Sequence, residues 1–175
     1  MIKIFNKIVD KIIQGEKIIV SKEILENINF QDESKMSLLA YAVNSGNIDA
    51  VKTLLEYNAS PNLVDEIGNT PVIEASLFGL INIVQILLGY SININHQNNL
   101  GETAISAAAS NGHIDIVKLL IDHNADINIK DNMGTSPRDW AKKEGYSEII
   151  KLLLVPTPSS VGMHTRITVA KPTSS

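Results

Sequence analysis

The sequence predicts an all-α fold: a solenoid of stacked helix–turn–helix units joined by hairpin-like loops. Three observations predict it. Four segments align at a constant spacing of 33 residues without insertions: "SLLAYAVNSGNIDAVKTLLEYNASPN" from Ser37, "TPVIEASLFGLINIVQILLGYSININ" from Thr70, "TAISAAASNGHIDIVKLLIDHNADIN" from Thr103 and "SPRDWAKKEGYSEIIKLLL" from Ser136. Small residues recur in register, with Ala42, Ala75, Ala108 and Ala141 in one column and Gly46, Gly79, Gly112 and Gly145 in another. Each copy carries two short apolar patterns at helical spacing, too little to close a core alone, so neighbouring copies must share one.

The elements follow in order. Each unit opens on Ser37, Thr70, Thr103 or Ser136. These hydroxyls suit a helix start, where they accept from an orphan backbone N–H, and Pro71 and Pro137 follow where a missing N–H costs nothing. The first helix ends at the glycine nine residues on, because glycine takes the left-handed conformation cheaply. A second helix follows, marked in the third copy by Ile114, Ile116, Val117, Leu120 and Ile121. Its end carries Asn58, Ser91 or Asn124, where another left-handed residue is expected. A turn containing Asp65 or Asp131, then Gly68, Gly101 or Gly134, returns the chain to the next start.

This pattern resembles the ankyrin repeat, whose signature runs Thr-Pro-Leu-His-x-Ala, Gly, an Ile-Val-x-x-Leu-Leu helix, then Gly-Ala-Asp-x-Asn. The resemblance covers roughly residues 37–154 and divides them at 37–69, 70–102, 103–135 and 136–154. It departs from the signature at Ser37 and Ser136, which replace Thr, at Arg138, which replaces an apolar residue, and at the usual histidine, absent from all four copies.

Residues 1–36 read as a degenerate leading repeat. Ile2, Phe5, Ile8, Val9, Ile12 and Ile13 share one helical face, Lys3, Lys7 and Lys11 another, and Gly15 falls two residues late for the common register. A cap over the open side of the first repeat is the expectation; a basic amphipathic helix lying on anionic lipid is the alternative. Residues 155–175 are rich in Pro, Ser and Thr. They are expected to form a flexible tail or to be a cloning remnant, with "TRITV" as a weak strand signal.

Composition narrows the function classes. The 175 residues carry no cysteine, so disulfides and thiolate metal sites are excluded. Net charge is −4, unevenly spread: residues 1–22 hold five lysines against two acids, and residues 23–133 hold four against fourteen. An acidic body argues against nucleic-acid binding, which needs a clustered basic face, and it favours a basic protein partner. No apolar run reaches the roughly 20 residues of a membrane span, and the start lacks a signal-peptide pattern. A cytoplasmic monomer is expected, with delivery into a host cell left open. Thirteen lysines against two arginines, with abundant isoleucine and asparagine, hint at an AT-rich genome, often bacterial, and a bacterial source is the expectation.

No phosphate loop, His-Glu-x-x-His or catalytic Ser/His/Asp set is present. His113 and His123 lie ten residues apart, not side by side on one helical face, and Asp65 and Asp131 recur as turn residues. The expectation is a non-enzyme without cofactor or metal. Asn58 heads a glycosylation sequon but already has a helix-ending role.

Ankyrin-repeat proteins bind other proteins through hairpin tips and the concave side of the first helices, and the resemblance implies that surface here. Tip columns are Glu33, Glu66, Asn99 and Asn132; Ser34, Ile67, Leu100 and Met133; and Met36, Asn69, Glu102 and Thr135. First-helix ends supply Asn44, Leu77, Ser110 and Lys143, then Ser45, Phe78, Asn111 and Glu144. Ile67, Ile73, Leu77, Phe78 and Leu100 break a polar usage and are expected to converge into an apolar patch rimmed by acids and asparagines. The expected contact set is Glu66, Ile67, Asn69, Ile73, Leu77, Phe78, Asn99, Leu100, Glu102, Ser110, Asn111 and Met133. The function expected is a non-catalytic protein-binding module; alternatives are an immunity protein that neutralises a toxin enzyme, or a secreted effector. Glu74 shares a column with Tyr41, Ala107 and Trp140, which places it near the inter-repeat seam, with the Tyr41 hydroxyl as its expected partner.

Overall fold

A computed structural model describes residues 2–154, so the expectations for 155–175, including His164, lie outside the described residues. The chain runs α1 (Ile2–Ile13), α2 (Lys22–Glu26), α3 (Leu38–Asn44), α4 (Ile48–Glu56), α5 (Pro71–Leu77), α6 (Ile81–Leu88), α7 (Ala104–Ser110), α8 (Ile114–Asp122), α9 (Pro137–Glu144) and α10 (Ser147–Leu152). The odd-numbered helices from α3 to α9 pack in one row, with α1 at its head, and α4, α6, α8 and α10 form a second row behind. A single bridge between Gln31 and Ser37 is the only β pairing among the described residues.

The helix starts follow from their first residues. Ser37 Oγ accepts from the Ala40 N–H at 3.1 Å, Thr103 Oγ1 from Ser106 at 3.3 Å and Ser136 Oγ from Asp139 at 3.2 Å. Each bond satisfies an orphan donor, worth about 1 kcal/mol. Thr70 makes no such bond, and Pro71 sets the start of α5 instead. The small residues allow close stacking: Ala42, Ala75, Ala108 and Ala141 are fully buried between first helices.

The expected left-handed residues occur at Asn58 (φ 66°) and Asn124 (φ 63°), but not at Ser91. A serine lacks the side-chain carbonyl that steadies this conformation in asparagine. In the second unit the helix stops at Leu88, capped by Gly89, and the chain closes through a tight Ile92 N–H to Tyr90 carbonyl bond of 2.9 Å. The first and third units use longer closures, Ala59 to Leu54 and Ala125 to Leu120.

The leading unit covers the open side of the first repeat. Phe5, Ile8, Val9 and Ile12 are buried along α1, and the Phe5 ring stands edge-on to Phe30 and Tyr41 at 5.0 and 6.0 Å. The second helix of this unit is short, only the five residues of α2. Three residues before each tip residue, a column of asparagines links units. Asn29 Oδ1 accepts from Ser60 N at 2.7 Å, Asn62 Oδ1 from Asn93 N at 2.9 Å and Asn95 Oδ1 from Asp126 N at 2.8 Å.

Candidate protein-binding surface

The tips are built around one residue each. Asp65 Oδ1 accepts from Ile67 N (3.0 Å) and Asn69 N (2.8 Å); Asp131 Oδ1 accepts from Met133 N and Thr135 N at 2.9 and 2.8 Å. Asp32 Oδ1 does the same for Ser34 and Met36, and Asn98 Oδ1 for Leu100 and Glu102. A short polar side chain that bonds its own backbone two residues on is the reason this column holds only Asp or Asn. Successive tips are then tied together: Asn99 N donates to the Ile67 carbonyl and Asn132 N to the Leu100 carbonyl, both at 3.0 Å. The Asn99 and Asn132 amides add bonds to the Glu66 and Asn99 carbonyls at 3.2 and 2.9 Å.

This scaffold presents Ile67, Leu100 and Met133 at neighbouring tips, 54%, 61% and 74% exposed. Three apolar side chains in a row, on a backbone already satisfied in its hydrogen bonds, form an apolar ridge. Glu66 and Asn99 stand exposed beside it, and Glu102 is half-buried.

Two expected contact residues are inside the protein instead. Ile73 is 2% exposed and Asn69 4%. The Ile73 column, with Ala40 and Ser106, is covered between first helices and opens only at Asp139, so it offers nothing to a partner. Asn69 is a buried connector: its Nδ2 donates to Glu74 Oε1 at 2.5 Å, and its Oδ1 accepts from Asn98 Nδ2 at 2.8 Å. Leu77 is half-buried and packs on the core, while its carbonyl meets His113 Nε2 at 3.1 Å. Phe78, 56% exposed, caps the far end of α5. Seven helical residues span about 10 Å, so Phe78 and the ridge are separate features and the single convergent patch does not form. Ser110 is half-buried with its hydroxyl on the Ala107 carbonyl (3.1 Å), and Asn111 is exposed, its amide on the same carbonyl at 2.9 Å.

The column behind each tip also differs from expectation. Tyr41 does not reach Glu74. Its hydroxyl donates to Asp32 Oδ2 at 2.6 Å, and that bond, with burial and the charge on Asp32, pushes the phenol up to about 12. Trp140 Nε1 likewise donates to Asp131 Oδ2 at 2.8 Å. Burial works against the charge on Asp131, yet donors from Thr135, Trp140 and Met133 hold the carboxyl below its ordinary range.

Sequence reasoning missed Asn98, Gln97 and His96. Asn98 is buried and joins the second and third tips, donating to Asn69 Oδ1 and to Glu102 Oε2 at 3.1 Å. Gln97 Nε2 spans the Gly101 and Lys130 carbonyls, and His96 Nε2 sits 3.0 Å from the Gly68 carbonyl. The available signal was the amide in an otherwise Asp column, in register with Asn69 and Glu102. No group of three or more His, Cys, Asp or Glu placed to hold a metal occurs among the described residues, and no helix there is long and apolar enough to cross a membrane.

Comparison with known proteins agrees with this geometry. Over 51 residues, 29% of this chain, the sequence is 47% identical to a protein of Caenorhabditis elegans called transient receptor potential cation channel subfamily A member 1 homolog. The matched stretch is 4% of that protein's length, so the likeness concerns a repeat segment and not the channel. The family model described as Ankyrin repeats (3 copies) matches residues 1–98 and 90–161, taking in the degenerate leading unit. Repeats of this kind are generally protein-interaction modules. With its 33-residue period, its two rows of helices and its linked tips, the chain belongs to the ankyrin-repeat family.

Proposed function

We propose that this chain is a non-catalytic module that binds a protein partner along the tip ridge. The observation that carries the reading is the exposure of Ile67, Leu100 and Met133 at neighbouring tips whose backbones are rigidly bonded. Covering the exposed half to three-quarters of each side chain is worth about 1–2 kcal/mol. Together they supply about 4 kcal/mol, roughly a thousandfold in Kd. Glu33 and Glu66 stand exposed beside the ridge and Glu102 is half-exposed, which favours a partner with basic groups around an apolar centre. Phe78 and Asn111, both exposed at first-helix ends, extend the surface toward the far side of the concave face.

Affinity capture from the source organism tests the proposal, with wild type beside Ile67→Asp/Leu100→Asp. Both side chains are exposed, so the variant keeps the wild-type melting curve and loses its captured partner. Retention of the same partner by the folded variant overturns the tip ridge as the binding surface. A parallel Phe78→Asp variant reports whether the partner reaches across α5.

A further inference from the structure

Each tip residue has a second oxygen or an amide to satisfy, and the chain does so in three ways. Asp32 Oδ2 takes the Tyr41 hydroxyl, and Asp131 Oδ2 takes the Trp140 indole N–H. Asn98 brings its own donor, and the matching position in its unit is Ala107, which offers none. In the second unit the same column holds Glu74, and Asn69 joins it to Asp65: the Asn69 N–H donates to Asp65 Oδ1 at 2.8 Å and the Asn69 amide Nδ2 to Glu74 Oε1. A carboxylate cannot close a hydrogen bond to another carboxylate without a hydrogen. We infer that Asp65 and Glu74 bind one proton between them, so that the second tip is held by a carboxyl–carboxylate hydrogen bond where its neighbours use tyrosine and tryptophan.

The surroundings enforce this arrangement. Glu74 is 7% exposed, which penalises a second negative charge next to Asp65. Asn69 is locked in orientation, because its Oδ1 is already taken by Asn98 Nδ2; its Nδ2 therefore satisfies Glu74 Oε1 and leaves Oε2 to carry the hydrogen. Burial pushes the Glu74 carboxyl up, against the Asn69 bond, and Asp65 adds to the rise by its charge and as acceptor. No cation relieves the pair. Among the described residues neither acid has an ion pair. The elements packed around Glu74 are poor in ionisable groups: α6 and α7 carry none, and α3 offers only Tyr41, already spent on Asp32. Glu66 stands on the same tip, and the adjoining tips add Asp32, Glu33 and Lys35 on one side and Glu102 and His96 on the other; Asp32 receives Tyr41, Glu102 receives Asn98, and His96 meets the Gly68 carbonyl.

The folded state thus holds this proton more tightly than the unfolded chain does. Its contribution to stability is complete below the unfolded carboxylate range and is lost as pH rises through the higher folded value. One proton changes the folding constant by at most about tenfold per pH unit.

Urea unfolding of the full chain from about pH 4.5 to 8.5 tests the proposal, for wild type, Glu74→Gln and Asp65→Asn. Glutamine donates to Asp65 as Tyr41 and Trp140 donate to their partners, so Glu74→Gln loses the wild-type slope. Asparagine copies Asn98 and donates to Glu74, which removes the part of the rise due to Asp65 and leaves that of burial, so the slope shrinks without vanishing. Infrared difference spectra against Glu74→Gln follow the protonated carboxyl, whose band persists to higher pH in wild type than in Asp65→Asn. The slopes are measured with His96→Gln in each background, so that no imidazole lies on the adjoining tip. An unchanged slope in Glu74→Gln, or a carboxyl band that titrates alike in wild type and Asp65→Asn, overturns the shared proton.

Discussion

Asn98 occupies a column that is otherwise Asp32, Asp65 and Asp131, so Asn98→Asp restores the chain's own majority residue. Majority logic expects a gain, whereas the structure expects a loss. Aspartate keeps the Oδ1 that accepts from Leu100 N and Glu102 N, both at 2.9 Å. It loses the Nδ2 donor to Asn69 Oδ1 at 2.8 Å and to Glu102 Oε2 at 3.1 Å. The first lost bond costs about 1 kcal/mol, and the second, to a carboxylate, about 1–2 kcal/mol with partial exposure discounted. The new carboxylate also faces Glu102 and an Asn69 oxygen left without a donor, bringing the expected loss to about 2–4 kcal/mol. For a chain of this size that is roughly 5–15 °C in Tm. Calorimetry or circular dichroism at pH 7 reads it directly. Acidification shrinks the deficit, because the introduced aspartate regains a donor once it is protonated. Equal or greater stability of Asn98→Asp at pH 7 refutes the role assigned to this amide.

Two other substitutions separate conformational from packing costs. Gly46 and Gly79 share a left-handed φ of 68° and 72°, but a Cβ on Gly79 comes 2.6 Å from His113 Cε1 while one on Gly46 meets nothing within 4 Å. Gly46→Ala therefore costs about 1 kcal/mol and Gly79→Ala about 1 kcal/mol or more beyond that in urea unfolding; equal losses show that His113 gives way freely. The Ser76 hydroxyl is fully buried without a hydrogen-bond partner, in a column shared with Val43 and Ala109. Ser76→Ala raises stability by about 1 kcal/mol, and a loss of stability instead reveals a partner for the hydroxyl.

What was legible in the sequence is what short stretches decide for themselves. Serine and threonine caps, glycines that end first helices and Asn58 and Asn124 in the left-handed region each depend on a few neighbouring residues and are repeated several times in register. Ser91 departs from Asn58 because the preceding Gly89 ends its helix early. Burial across units was harder to read. Ile73 looks like a surface anomaly in a column containing Asp139, yet three members of that column are sealed by the adjoining helix. Leu77 and Phe78 are adjacent in sequence and differ in exposure because one turns onto the core and the other caps the helix. Glu74 lies at the seam its column implies, but its hydrogen-bond partner is Asn69, reached through the fold of the tip.

The asparagine column and the backbone bonds between tips have one consequence for how such a chain changes length. Each link joins residues about one period apart: Asn62 to Asn93, Asn95 to Asp126, Ile67 to Asn99, Leu100 to Asn132. One extra residue inside a unit shifts both sets of links out of step at once. Excision of residues 70–102 as a block, by contrast, brings Asp126 to Asn62 and Asn132 to Ile67, so that these two kinds of link re-form. Length in this architecture is counted in whole units, like floors of a building whose stairwells must meet every landing.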